Sequence, residues 1–182
     1  MGFNKALAFA VVLSILSFGA AWAAPVTSAS VDRDFTLDEY SAMLSGASDF
    51  WQAGVGLTFG DSLHQTYHLF GGGRLTWVQA SEAGRTSNGW ALGVIGGVGF
   101  RPQRKWSPVG TLAADKFFGV DLYESKLTLS AGVRIQVVSQ LDPQQVVSVL
   151  LFAGRLYGSN GVADRSDTGL SVLYSLAFFE QR

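Results

Sequence analysis

The sequence predicts an all-β protein, an eight-stranded antiparallel up-and-down transmembrane β-barrel that follows a cleaved signal peptide. Three observations indicate this fold. Apolar residues alternate with small or polar ones, the alternating segments have about the 9–11 residues that a tilted membrane-spanning strand needs, and aromatic residues lie at the segment ends. Residues 51–60 show all three, because their odd positions are apolar and their even positions are polar or glycine.

The first residues predict export. Residues 1–5 carry a positive charge, residues 6–18 form an apolar run, and Ala21 and Ala23 flank Trp22 in the small-x-small pattern of a cleavage site. The alternative, a membrane anchor, needs about 20 apolar residues, which is more than this run provides. We therefore expect a signal peptide at residues 1–23 and one barrel domain at residues 24–182.

The first segment of the barrel, from Thr36 to Leu44, fits two structures. Thr36 with Glu39 three positions later resembles a helical capping box, and Phe35 and Tyr40 are placed as a hydrophobic staple. The same residues also suit a strand that ends before a turn at residues 46–49. Single-chain bacterial barrels have an even number of strands. Seven other segments are present, so we expect a strand here, although the residues themselves leave the helix open.

Those seven segments follow in order. Residues 51–60, 68–80, 90–100, 127–137 and 170–178 alternate clearly. Residues 106–117 and 146–157 are apolar on both faces, and Pro108 removes one backbone donor near the start of the first of them.

With the N-terminus in the periplasm, short periplasmic turns are expected at residues 61–65, 102–105 and 140–144. Longer outer loops are expected at residues 81–89 and 158–168. This topology groups the outward aromatic residues into two belts. The predicted belt residues are Trp51, Trp77 and Trp90 at the outer end, and Phe59, Tyr67, Phe100, Trp106 and Phe178 at the inner end.

Arginines occur in three of the predicted strands, two of them on polar faces and Arg155 assigned by the same parity, so we expect charges inside the barrel. An unpaired buried charge is too costly to keep. Each arginine therefore needs carboxylate or hydroxyl partners, and the candidate carboxylates are Asp38 or Glu39 and Asp115 or Glu124. The predicted interior network comprises Arg74, Arg134, Arg155, Asp38 and Asp115. Eight strands leave little room beyond side chains, which favours a plug of ion pairs over a track for ions.

The chain offers little for catalysis or metal binding. It has no cysteine, and its 13 basic and 14 acidic residues provide no basic patch for nucleic acid. The two histidines, His64 and His68, would lie more than about 10 Å apart on a strand and toward the periplasmic end, which does not suit a metal pair. The loop with Asp164 and Asp167 lacks the spacing of a calcium-binding EF-hand. We expect no catalytic residue, cofactor or metal.

Four short motifs resemble the YfaZ-type outer-membrane proteins. They are Tyr-His-Leu-Phe-Gly-Gly-Gly at residues 67–73, Trp-Ala-Leu-Gly-Val-Ile-Gly-Gly at 90–97, Ser-Ala-Gly-Val-Arg at 130–134 and Phe-Ala-Gly-Arg at 152–155. The resemblance implies a compact antiparallel barrel after a leader, with a strand as its opening segment. It implies no established activity.

These expectations describe a structural or surface-interaction protein of the Gram-negative outer membrane. Its partners would be membrane lipid, lipopolysaccharide and, during biogenesis, the barrel-assembly machinery. Two alternatives remain open. A lipid A-modifying enzyme would need a histidine at the outer rim, and a soluble periplasmic lipocalin-like lipid binder would turn the apolar face inward. The sequence does not specify a ligand, conductance or oligomeric state.

Overall fold

The computed structural model describes residues 36–64, 67–100, 105–138 and 144–177. The predicted signal peptide lies outside these residues. Every regular element among them is a strand. The strands are β1 (Thr36–Gly46), β2 (Phe50–His64), β3 (Tyr67–Glu82), β4 (Arg85–Phe100), β5 (Trp106–Phe118), β6 (Tyr123–Val138), β7 (Gln144–Gly158) and β8 (Arg165–Ala177).

The eight strands form a closed antiparallel barrel in which each strand pairs with its neighbours in sequence. Closure is made by β1, which pairs with β2 on one side and with β8 on the other. The β1–β8 seam is short, eight residue pairs from Glu39 opposite Ala177 to Gly46 opposite Leu170, whereas β3 and β4 form sixteen. The predicted strand count is confirmed.

The helix that the capping box allowed at residues 36–44 is wrong. In a helix these backbone groups would bond only to one another, whereas in β1 they bond to strands on both sides. Barrel closure therefore overrides the local capping signal. In the described part of the chain no helix is long and apolar enough to cross a membrane.

The barrel has an apolar outer face and a polar inner face. Leu151 (71% exposed), Val94 (65%) and Leu129 (63%) point outward, while Thr76 and Ser175 are fully buried in the lumen. The apolar residues of the alternating segments therefore face outward, as predicted. The soluble lipocalin-like alternative requires the opposite orientation, which the structure does not have.

Glycines on the two faces differ in the space around them. A β-carbon added to inward Gly72 would lie 1.9 Å from the backbone oxygen of Leu57, and one added to Gly132 would lie 2.0 Å from that of Val149. Outward Gly71 and Gly73 have no heavy atom closer than 3.7 Å to the same position. Of these four glycines, only the inward pair is required by close approach of a neighbouring strand.

The strands are longer than the alternating segments, so two predicted outer loops are corrected. Residues 81–89 form a hairpin whose turn is only Ala83 and Gly84, both with positive φ (48° and 79°), the geometry of a type I′ turn. The predicted loop at 158–168 contracts to residues 159–164, and β2 continues to His64 through the predicted turn at 61–65. Hydrogen-bonded pairing continues past the apolar rows into polar sequence, which composition alone identified as loop.

Two ends of the barrel can be distinguished. The loop end carries the connections at residues 47–49, 83–84, 119–122 and 159–164. The opposite end, here the terminus end, carries Thr36 and Ala177, the first and last described residues.

Candidate functional site

The lumen at mid-height holds an ion pair between Arg74 of β3 and Asp115 of β5. Arg74 Nε and Nη2 donate to the two carboxylate oxygens at 2.7 and 2.5 Å, and Gln52 Nε2 donates to Asp115 Oδ2 at 3.3 Å. Both charged side chains are buried. Gly93 of the intervening strand β4 lies opposite both residues, and a β-carbon there would lie 2.0 Å from Asp115 Oδ1. A glycine therefore makes room for the pair.

A second buried pair lies toward the loop end. Lys126 Nζ donates to Asp167 Oδ2 at 2.5 Å and lies 4.3 Å from the ring centroids of both Phe50 and Phe152. Cation–π contacts of this kind stabilise an ammonium that has lost its water. Gly154 of β7 again lies between the two charged strands, with its ideal β-carbon 3.1 Å from the Lys126 stem. The two pairs share one construction, an ion pair that passes over a glycine.

A third pair joins Arg134 of β6 to Glu39 of β1 and crosses the lumen toward the terminus end. The side chains are 4% and 12% exposed. Of the two carboxylates that the sequence offered, Glu39 makes this contact. Asp38 belongs to β1, but its side chain is outside the described structure.

Arg155 corrects the predicted interior network. It lies on the outer face of β7, 62% exposed, and Nη2 donates to Asp164 Oδ2 at 3.1 Å. The sequence interpretation assumed that polar residues of a strand face inward. At the loop end of β7 the inward residues are Phe152 and Leu156, both apolar, so that assumption fails.

The sequence analysis also missed Lys126 and Asp167 as interior residues. Lys126 lies one position before the predicted segment 127–137, and Asp167 fell in a predicted loop. Both share the period-two position of the buried residues that follow them, Thr128 and Ser171. Extending the first alternating row by one residue and the second by three would have placed both inside.

The loop end of the lumen is closed by an apolar cluster. Its members include Phe50, Val78, Phe117, Leu122, Tyr123 and Leu156. The connection at residues 119–122 lies across this end. Asp121 N donates to Ser87 Oγ at 2.7 Å, Ser159 Oγ donates to the Asp121 carbonyl at 3.0 Å, and Tyr123 OH donates to Glu82 at 2.5 Å.

The lumen contains two small cavities of about 40 Å³ and 20 Å³, both lined by Arg74. A water molecule needs about 10–15 Å³ measured in this way, so the larger cavity has room for about three. Buried hydroxyl groups of Thr58 and Thr128 line the two cavities. Each of these two cavities can hold one to a few waters and is too small for an organic solute.

The lumen shows no catalytic arrangement in the described ranges. His68 is buried toward the terminus end, 5.9 Å from the Phe70 ring, and His64 ends β2 at the same end. Residues 36–64, 67–100, 105–138 and 144–177 contain no group of three His, Cys, Asp or Glu side chains that could hold a metal ion. A histidine at the loop-end rim, which the lipid A-modifying alternative needs, is not found there.

The predicted belt residues that lie within the described ranges are on the outer face. Trp77 pairs with Trp90, and ten positions along each strand Tyr67 pairs with Phe100. Ten residues at about 3.3 Å each, tilted by about 40°, rise about 25 Å, the usual height of a lipid-facing band. Trp51 is half-buried over Gly46, Phe59 and Trp106 are exposed, and Phe178 lies outside the described residues.

Comparisons with protein families, curated proteins and solved structures found no match.

Proposed function

We propose that this chain is a small β-barrel protein of the Gram-negative outer membrane, exported by the signal peptide at residues 1–23, with a structural or surface-interaction role and no catalytic site. One observation carries the proposal. The barrel is apolar outside, between two aromatic belts, and ion-paired inside. This is the polarity expected where hydrocarbon, rather than water, surrounds the wall.

The size of the apolar surface supports membrane insertion. Large side chains such as Leu92, Leu112 and Val94 stand more than half exposed on neighbouring strands. Water-soluble monomers rarely expose continuous apolar patches beyond a few hundred Å². A closed barrel also leaves no unpaired strand edge in the hydrocarbon region.

The filled lumen supports a role at the surface rather than transport. Three ion pairs cross the interior and the apolar cluster closes the loop end. The exposed connections and the lipid-facing wall are then the places where partners meet the protein. We propose lipopolysaccharide and outer-membrane lipid as its surroundings and the barrel-assembly machinery as its partner during biogenesis. Membership of the YfaZ-type family, which the sequence motifs resemble, is part of the proposal.

Cell fractionation and heat-modifiable gel mobility test the proposal. The full-length protein is expressed in a Gram-negative host, outer-membrane and soluble periplasmic fractions are separated, and each is run on SDS gels with and without boiling. We expect a band in the outer-membrane fraction whose mobility changes on boiling, because a closed barrel resists SDS until heated. Recovery in the soluble fraction with no mobility change would overturn membrane insertion.

A further inference from the structure

Two cations stand on the outer wall near the loop end. Lys116 of β5 and Arg155 of β7 point away from the lumen, with side chains 58% and 62% exposed. Each lies two residues before an outward aromatic residue of its own strand, Phe118 and Tyr157. Phe118 lies opposite Trp90 of the aromatic belt. Each cation is therefore one outward position closer to the middle of the wall than the aromatic residue at its strand end.

The two cations flank one strand. On β6, Ser125 lies opposite both Lys116 and Tyr157, and Leu127 lies opposite Arg155. Strands are spaced about 4.8 Å apart, so the backbones carrying the cations are about 10 Å apart across β6. Both side chains are long enough to reach a shared group, or two linked groups, lying over this strand.

The nearby carboxylates leave most of the cations' donors available. Lys116 Nζ contacts Glu124 at 3.3 Å and Arg155 Nη2 contacts Asp164 at 3.1 Å, one carboxylate contact each, and the Arg155 guanidinium also lies 5.9 Å from the centroid of the Tyr157 ring. An ammonium has three N–H donors and a guanidinium has five. Asp164 also accepts a hydrogen bond from Gly158 N at 3.1 Å. The hydrogen bond from Gly158 is the larger cause, and the hydrogen bond from Arg155 the second, of a lowered pKa for Asp164. The carboxylate therefore stays charged and orients Arg155.

This position suits the phosphates of lipid headgroups. A cation on the lipid-facing wall is strongly destabilising at the membrane midplane but costs little near the interface. Long basic side chains at such a depth extend toward the headgroups. Guanidinium groups bind phosphate oxygens in pairs and ammonium groups bind them as point charges.

We propose that Lys116 and Arg155 form a binding site for the phosphate groups of a phosphorylated glycolipid of the outer leaflet, the lipid A part of lipopolysaccharide; this rests on the proposed membrane function. The glycolipid lies against β5, β6 and β7 with its phosphates at the two cations and its acyl chains along the apolar rows below. The site is confined to this side of the barrel.

Lipid A binding by the purified full-length protein tests the site. The protein is held in a zwitterionic detergent and binding is measured by native mass spectrometry, for the wild type and for Lys116→Gln with Arg155→Gln. Surface cations contribute about a fivefold factor each to anionic-lipid binding, so we expect the double variant to bind lipid A roughly thirtyfold more weakly.

A matched control removes two other cations from the same end. Arg85 lies beside the β3–β4 turn, and Arg165 of β8 lies opposite the inward residue Leu156 and beside Asp49 at the rim, so neither cation is on the outer face of the β5–β7 wall. The double variant Arg85→Gln with Arg165→Gln carries the same net charge and should bind lipid A within twofold of the wild type. Dephosphorylated lipid A should bind the wild type and the Lys116/Arg155 variant equally.

Several results would overturn the site. They are equal lipid A binding by the wild type and the Lys116/Arg155 variant, an equal loss in the control variant, or equal binding of phosphorylated and dephosphorylated lipid A by the wild type. Displacement of lipid A by inorganic phosphate at similar concentration would show a site for free phosphate and overturn the lipid assignment.

Heat-modifiable mobility is measured on every variant, so a failure of membrane insertion is seen separately from a failure of this site. Lys116→Arg with Arg155→Lys keeps both charges and should bind within about threefold of the wild type; a loss like that of the glutamine variant would also contradict the proposal.

Discussion

Arginine–aspartate ion pairs occur both in the lumen and on the outer wall, but they differ in burial and in the number of hydrogen bonds. Arg74 inside makes two hydrogen bonds to Asp115 and is buried, whereas Arg155 outside makes one to Asp164 and is largely exposed. Removing one partner of a buried pair leaves a charge with nothing to replace its water, but an exposed pair is already solvated. Whether the side chains lie inside or outside the barrel wall, rather than their residue type, determines how much each ion pair contributes to stability.

The largest expected effect comes from breaking the central pair. Asp115→Ala leaves the Arg74 guanidinium buried without a carboxylate and should lower the free energy of unfolding by about 3–5 kcal/mol. The measurement is urea-induced unfolding of the refolded protein in detergent micelles or lipid vesicles. Glu124→Ala, which removes an exposed carboxylate, should cost no more than about 1 kcal/mol. Equal losses for the two variants would contradict the contrast between lumen and wall.

The pair at the loop end allows a sharper test. Lys126→Met alone should destabilise by about 3–5 kcal/mol, because the buried Asp167 carboxylate loses its ammonium partner. Adding Asp167→Leu removes the orphan charge and should recover most of that loss. Chemical denaturation of the single and double variants measures the difference. If the double variant is as unstable as the single one, packing rather than charge dominates this region.

Alanine substitutions at two adjacent glycines compare the inner and outer faces of the barrel without changing any charge. Gly72→Ala places a methyl group against the Leu57 carbonyl and should destabilise by about 1–3 kcal/mol. Gly71→Ala meets only ordinary contact and should be neutral or stabilising by about 0.5–1 kcal/mol, since glycine loses more backbone entropy on folding. The unfolding midpoints of the two variants test this. A larger loss at Gly71 would mean that the outward glycines are required for a reason other than local space.

The smallest expected effect is a titration on the wall. The Gly158 amide and Arg155 lower the pKa of Asp164 below its ordinary value of about 3.8. The stabilisation is therefore complete above that value and is lost only as pH falls through the lower, folded-state pKa. Carboxyl carbon NMR of labelled aspartate should show this late titration. Arg155→Gln should move the pKa only part of the way back, because the Gly158 hydrogen bond is the larger cause; a full return to the ordinary value would contradict that order.

Much of the fold followed from period two. Alternation along residues 51–60 and its counterparts predicted most of the strands and their order, the aromatic belts favoured an apolar outer face, and the even-number rule for closure resolved the segment at Thr36. The same reasoning placed Arg74, Asp115 and Arg134 in the lumen. Alternation could not place Arg155, because β7 is apolar on both faces where it meets the apolar cluster. The predicted segments also left out Lys126 and Asp167, because hydrogen-bonded strand pairing extends beyond the part of each strand in which apolar and polar residues alternate.

The short seam between β1 and β8 also bears on how the chain reaches this state. The first strand finds its second neighbour only when the last strand has formed, and Glu39 meets Arg134 across 95 positions of sequence. Contacts between such distant residues are slow to form because the loop entropy is lost before any contact compensates for it. Hairpins such as β3–β4 can form locally, so closure at this seam is the step expected to limit the folding rate. Until it closes, β1 and β8 both present bare edges on which a second chain could pair.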